Sequence, residues 1–191
     1  MPKDNIERAI KRGTGENKDG NALEEVFYEG YAPNGIALMI ECVTDNRNRA
    51  VADIRHVLNR FGGSMGETGS VAWQFSRNSY FAFSMEGLNE DQVFELAIEG
   101  GADDITYDDD LVEIIGPVES YKTISVQLRL ANINADESGL RMMPNQELEL
   151  ETSETLKVMK VIDALEDLDD VQNIYSNLSI SDEVLTKLEV A

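Results

Sequence analysis

A chain of 191 residues with 42% apolar composition can bury enough hydrophobic surface for one or two compact domains, which excludes a disordered polymer. No stretch approaches the roughly 18 apolar residues that cross a bilayer, and Met1-Pro2-Lys3-Asp4-Asn5 is too polar for a secretory signal, so the expectation is a cytoplasmic protein without a membrane partner. The formal charge of −21 is unevenly placed: residues 1–77 hold 10 Lys and Arg against 11 Asp and Glu, whereas 78–191 hold 6 against 26. Phosphate backbones are bound through Lys and Arg and the counterions they displace, so any nucleic-acid contact belongs to the first part. The acidic remainder reads as a solvating surface.

Residues 2–12 have the pattern of a short helix, with Pro2 in the first turn, Ile6, Ala9 and Ile10 on one face, and Gly13 as the stop. So short an amphipathic helix cannot stand alone, and it reads as the last helix of a larger element. The Gly, Asn and Asp content of residues 13–20 is that of a linker. Two strand-like runs, Val26 to Tyr31 and Ile36 to Val43, are joined by Ala32-Pro33-Asn34-Gly35, which predicts a hairpin. From Asn46 to Phe61 the period becomes helical, with Ala50, Val51, Ile54, Val57, Leu58 and Phe61 on one face, Thr44 or Asp45 as N-cap and Gly62 as terminator.

A second unit reads from Val71 to Met143. A strand over Val71 to Phe83, interrupted near Arg77-Asn78, precedes a helix from Asn89 that buries Val93, Phe94, Ala97 and Ile98 and stops at Gly100-Gly101. Strands at Ile105 to Tyr107 and Leu111 to Ile115 flank an Asp108-Asp109 turn, Pro117 opens a helix with Tyr121, Ile124 and Leu128 inward, and a strand over Gly139 to Met143 closes the unit. This order, β-α-β-β-α-β, is ferredoxin-like. A helix over Ser153 to Leu168, packing through Leu156, Met159, Ile162 and Leu165, and a strand over Val171 to Tyr175 cannot form a domain by themselves. The fold expectation is therefore α+β: residues 21–70 plus 147–191 as one discontinuous α/β domain, 71–146 as an inserted ferredoxin-like domain, and 1–20 as a remnant N-terminal helix with its linker. Two consecutive domains are the alternative.

Chemistry concentrates in the first part. Arg47, Arg49, Arg55 and Arg60 lie on the helix over 46–61, Arg49, His56 and Arg60 along one stripe beside the apolar face. Guanidinium groups bind phosphate in a planar fork, so the stripe suits an RNA or DNA backbone; the competing reading is a solvated helix with Arg49 paired to Asp53. Gly62-Gly63-Ser64-Met65-Gly66 and Ser70 follow, in a segment whose glycines allow backbone amides to approach an anion, or which serves only as a crossover. Trp73 and Phe75 stand at strand spacing, where half-buried core is favoured over a stacking surface. Catalytic signals are absent: one histidine excludes a two-histidine metal site, Cys42 in its apolar run reads as a small hydrophobe, and the aspartates from Asp103 to Asp110 lack an EF-hand spacing. No enzyme activity, metal or cofactor is expected.

The strings Tyr28-Glu29-Gly30-Tyr31-Ala32-Pro33-Asn34-Gly35, Thr44-Asp45-Asn46-Arg47-Asn48-Arg49, Gly62-Gly63-Ser64-Met65-Gly66 and Gly69-Ser70-Val71-Ala72 resemble the YebC/PmpR family. The opening Met1 to Ile10 and the closing Leu165 to Gln172 extend the likeness over essentially the whole chain. The resemblance implies a basic helical N-terminal domain, a discontinuous α+β domain and an inserted ferredoxin-like domain. It also implies a non-enzymatic regulator, of either of two kinds: DNA-binding transcriptional regulators, or ribosome-associated translation factors. The family's lysine- and histidine-rich segment upstream of the position matching Met1 is not in this sequence, and residues 2–12, with Lys11 and Arg12, resemble its final helix. The resulting expectation is a monomer that contacts DNA, ribosomal RNA or tRNA through Lys11, Arg12, the four helix arginines and the glycine-rich segment. An acidic adaptor for basic protein partners is the alternative.

Overall fold

A computed structural model describes residues 22–108, 110–181 and Val184. The expected N-terminal helix and linker, with Lys11 and Arg12, and Asp109 of the expected turn lie outside the described residues. The described residues divide into two compact units, one formed by those up to Gln74 together with those from Pro144 onward, the other by those within Phe75–Met143.

In the first unit, β1 (Glu24–Tyr31) and β2 (Ala37–Thr44) form an antiparallel hairpin in register from Glu24↔Thr44 to Tyr31↔Ala37. The connection is a short helical turn over Pro33–Gly35, where Asn34 and Gly35 take left-handed dihedrals. Helix α1 (Arg47–Arg60) follows, capped not by Thr44 or Asp45 but by Asn46, whose side chain accepts from the Arg49 amide. Thr44 instead turns its hydroxyl to the Asn46 amide, one step outside the helix. β3 (Ser64–Met65) adds to the free edge of β1, and β9 (Val171–Ser176) adds to β2, giving the order β3-β1-β2-β9. A small parallel pair joins β8 (Leu148–Glu149) to β10 (Leu178–Ser179).

The core of this unit brings Leu38, Ile40 and Cys42, alternate residues of β2, together with Ile54 and Leu58 of α1 and Val158, Val161 and Leu165 of α4 (Thr152–Glu166). Side chains as fully enclosed as Ile54 and Leu58 each contribute about 1.5–3 kcal/mol. Of the residues expected to pack α4, Leu165 is buried and Met159 and Ile162 pack half-exposed against the core; Thr155, Val158 and Val161 complete the buried face, and Leu156 stands half-exposed beside it, because the apolar stripe is wider than one row.

The second unit runs β4 (Phe75–Ser84), α2 (Glu90–Gly100), β5 (Asp104–Asp108), β6 (Leu111–Pro117), α3 (Tyr121–Leu130) and β7 (Glu137–Pro144), with sheet order β5-β6-β4-β7. β4 is unbroken through Arg77-Asn78 and starts at Phe75, not Val71. Ile124 and Leu128 point inward as expected, and Tyr121 stacks on Phe81 with ring centroids 5.0 Å apart. α2 differs: Val93 and Ala97 are buried, but Phe94 and Ile98 are 51% and 57% exposed. Close approach to α3 explains the rotation, since a Cβ on Gly100 would lie 2.9 Å from Ile124, so the glycine marks the contact line and the larger side chains are displaced from it.

Candidate nucleic-acid interface

The four helix arginines do not form one phosphate-facing row. Arg47, in the first turn of α1, donates through Nε to Glu24 at 2.7 Å. Arg49 holds Asp170 with two bonds, Nε to Oδ2 at 2.9 Å and Nη2 to Oδ1 at 2.7 Å, and reaches Asp45 at 2.9 Å. Its partners are therefore Asp170 and the preceding turn's Asp45 rather than Asp53. Hydrogen bonding to Asp170 raises the Arg49 guanidinium above its usual range despite partial burial, and Asp45 adds to the effect. Arg55 and Arg60, by contrast, are exposed, and among the described residues neither has an ion-pair partner. The Arg60 guanidinium lies 5.5 Å from the Phe61 ring centre in the last turn, where a cation also complements the helix dipole.

The glycine-rich segment is not an open anion cradle. Gly62, at φ 82°, takes the left-handed turn that ends α1. The Gly63 amide returns to the Leu58 carbonyl, Ser64 and Met65 are the short edge strand β3, and the Gly66 amide donates to the Glu29 carbonyl. The second half closes on a side chain. Glu29, 7% exposed on β1, accepts from the amides of Gly69 at 2.6 Å, Val71 at 2.7 Å and Ala72 at 2.9 Å. Burial alone would raise its carboxyl, but these amide donors, with Ser70, outweigh burial and hold it below the usual range. The amides available to grip a phosphate already hold the chain's own carboxylate. The Ser70 hydroxyl is enclosed without a hydrogen-bond partner among the described residues, so of the segment only its surface-facing groups are open to a ligand.

Sequence reasoning passed over one residue here and favoured the wrong environment for another. Glu29 was legible only as a carboxylate inside a strand that leads to a glycine-rich segment. Trp73, expected in a half-buried strand, is 72% exposed, because Ala72–Gln74 form a helical turn before β4 begins; Phe75, two residues on, is buried. The indole is fixed nonetheless, its Nε1 donating to the Ser70 carbonyl at 3.0 Å, where the Tyr31 hydroxyl also donates at 2.9 Å.

Cys42 has no exposed surface, and its thiol is pushed up to about 12 by burial first and then by the charges of Asp170 and Glu41. A thiol reagent in mildly alkaline buffer should modify it roughly 10³-fold or more slowly than free cysteine, reacting only when the unit opens. Fast stoichiometric labelling of the native protein would contradict that burial. Among the described residues, no three His, Cys, Asp or Glu side chains converge to hold a metal ion, and no helix is long and apolar enough to cross a membrane.

A family model described as the TACO1/YebC second and third domain matches residues 23–178. The chain is 47% identical over 189 residues to a "Probable transcriptional regulatory protein" of Nitrosococcus oceani, covering 98% of this chain and 75% of that protein. It is 46% identical to a relative of the same name from Bifidobacterium animalis subsp. lactis, covering 99% and 75%. The crystal structure of a conserved hypothetical protein from Aquifex aeolicus superposes with a TM-score of 0.81 at 36% identity, covering 97% of this chain and 76% of that one.

Proposed function

Since the chain belongs to the TACO1/YebC family, we propose that it is a non-enzymatic, cytoplasmic regulator of gene expression that contacts the phosphate backbone of DNA, ribosomal RNA or tRNA. The observation that carries this reading is the pair of exposed arginines, Arg55 and Arg60, without carboxylate partners among the described residues of so acidic a chain. The relatives' names support the regulatory part. Lys11 and Arg12 belong to the same proposed contact, whereas Arg47 and Arg49 serve it by fixing α1. We read Phe75–Met143 as a ferredoxin-like domain inserted in a discontinuous α+β domain, which the element order and the strand order β5-β6-β4-β7 support.

Replacing Arg55 and Arg60 together by glutamine tests the proposal without touching an ion pair among the described residues. Binding to a short oligonucleotide at low salt should weaken about tenfold, and the slope of log affinity against log salt should shrink by roughly 1.4–1.8, the loss of two phosphate contacts. An unchanged affinity and slope would reject these residues as the contact. A protein-binding role has its own support in the second unit, where Phe94 and Ile98 are exposed on α2 among Glu90, Asp91, Glu95 and Glu99. Such a surface suits a basic amphipathic partner, and its capture would survive nuclease treatment.

A further inference from the structure

One end of the first unit's sheet differs from the other in chemistry. At the end where β1 begins and β2 finishes, the arginines are matched by Glu24, Asp45 and Asp170. At the opposite end, marked by the pair Tyr31↔Ala37, lies a cleft of about 330 Å³ lined by Trp73, Gln74, Asn145, Gln146, Leu148 and Asn177. None of these residues is charged, in a chain with 37 carboxylic residues.

Backbone and side-chain contacts connect this cleft to the end of α1. Gly63, just past the helix, lies so close to the Tyr31 carbonyl that a Cβ would come within 2.5 Å of it. Tyr31 and Trp73 share the Ser70 carbonyl, and Asn177 accepts from the Ala37 amide at 2.8 Å. Arg60, in the last turn of α1, is thus at the same end of the sheet as the cleft.

The walls of the cleft are braced. Buried Asn177 donates to the Gln74 Oε1 at 3.3 Å, and the Asn145 side chain donates to the Trp73 carbonyl at 3.1 Å. With its Oε1 fixed in this way, Gln74 presents its amide nitrogen as a donor. An exposed indole anchored by its own N–H loses little freedom when a flat ligand stacks on it. Aromatic face, amide donors and acceptors, no carboxylate in the lining and a cation nearby together match one ligand class.

We propose that this cleft is a nucleobase subsite, in which an unpaired base of a single-stranded segment stacks on Trp73 while its edge meets the amide side chains and its phosphate lies toward Arg60. The inference rests on the nucleic-acid reading above and gives it a ligand state: unpaired strand rather than duplex. Stacking tolerates any base, so little sequence preference is expected from Trp73 itself.

Trp73 is the chain's only tryptophan, so indole emission, excited at wavelengths the six tyrosines do not absorb, reports on this site alone. Titrating the whole chain with a short oligothymidylate should quench that emission. Trp73→Ala should weaken binding, followed by anisotropy of the labelled strand, about tenfold, and Trp73→Tyr should restore most of it. A strand of equal length without bases should bind the native chain as weakly as oligothymidylate binds the alanine variant. If oligothymidylate binds with Arg60-dependent affinity but neither quenches Trp73 nor responds to its replacement, the subsite is wrong while the phosphate contact stands. If no strand binds at low salt, both fail. Quenching by a neutral peptide but not by either strand would assign the cleft to a protein partner and overturn the proposal.

Discussion

Glu29→Ala should unfold the first unit about 6–20 °C below the native protein. The variant removes a buried carboxylate that accepts from three backbone amides, those of Gly69, Val71 and Ala72. Hydrogen bonds to a charged group contribute about 1.5–3 kcal/mol each, and an amide left buried without a partner costs about 1–3 kcal/mol. The three share one acceptor and are not additive, so we expect a loss of about 3–5 kcal/mol, which for a chain of this size corresponds to roughly 2–4 °C per kcal/mol. Calorimetry measures the shift, and amide exchange at Gly69, Val71 and Ala72 locates it. A transition within about 2 °C of native, with those amides still protected, would show that the segment holds itself.

The same carboxylate sets a pH dependence with a definite sign. Its folded-state pKa is lowered from an ordinary 4.5, so the folded state favours the ionised form. The stabilisation is fully present above about 4.5 and is lost as pH falls through the lower folded value. The gap in stability between native protein and Glu29→Ala should therefore be constant at neutral pH and narrow on acidification below that point. A gap that widened in acid would mean that Glu29 is held protonated, with the amides bound to something else.

The local patterns were legible where one face of an element meets one partner. The β1–β2 hairpin follows from apolar runs around Pro33-Asn34-Gly35, and the inward face of α3 from the spacing of Ile124 and Leu128, because strand and helix periods are set by the backbone alone. What the sequence did not carry were choices made between distant residues. Phe94 and Ile98 belong to a helical stripe by spacing, but which part of a wide stripe is buried depends on how closely Gly100 lets α3 approach. Trp73 and Phe75 share a strand-like spacing, and a single helical turn over Ala72–Gln74 separates an exposed ring from a buried one.

The candidate site was legible in composition rather than in arrangement. Arginines followed by glycines marked a candidate segment, and the physical reason for choosing it, cations in the less acidic part of the chain, still applies to the exposed Arg55 and Arg60. Composition does not say which cations are already neutralised. Asp170 is 121 residues from Arg49, and Glu29 is 40 or more from the amides it holds, so neither pairing leaves a local signature. The effect on function is direct: an electrostatic footprint counted from sequence includes charges that the fold has spent on itself.

Arg49 is the decisive case, because by type it belongs to the ligand contact and by geometry to the fold. Its guanidinium grips Asp170, only 6% exposed, through two bonds and so ties α1 to the segment entering β9. Arg49→Met should lower stability by about 2–4 kcal/mol, since breaking a buried pair strands a charge that water reaches poorly, with the partial exposure of Arg49 placing the loss below the deepest cases. Adding Asp170→Asn to that variant should recover part of the loss, giving a coupling of about 1–3 kcal/mol in a double-mutant cycle. Measured well below its melting temperature, Arg49→Met should bind an oligonucleotide within about twofold of native affinity, whereas the Arg55 and Arg60 double variant should lose about tenfold at unchanged stability. Stability and binding would then separate along a single helix, its first turns anchoring α1 and its last turns presenting it. If Arg49→Met instead lost binding as steeply as the double variant while fully folded, Arg49 would touch the ligand through the face that Asp45 and Asp170 leave open, and the division of α1 into an anchoring end and a binding end would be wrong.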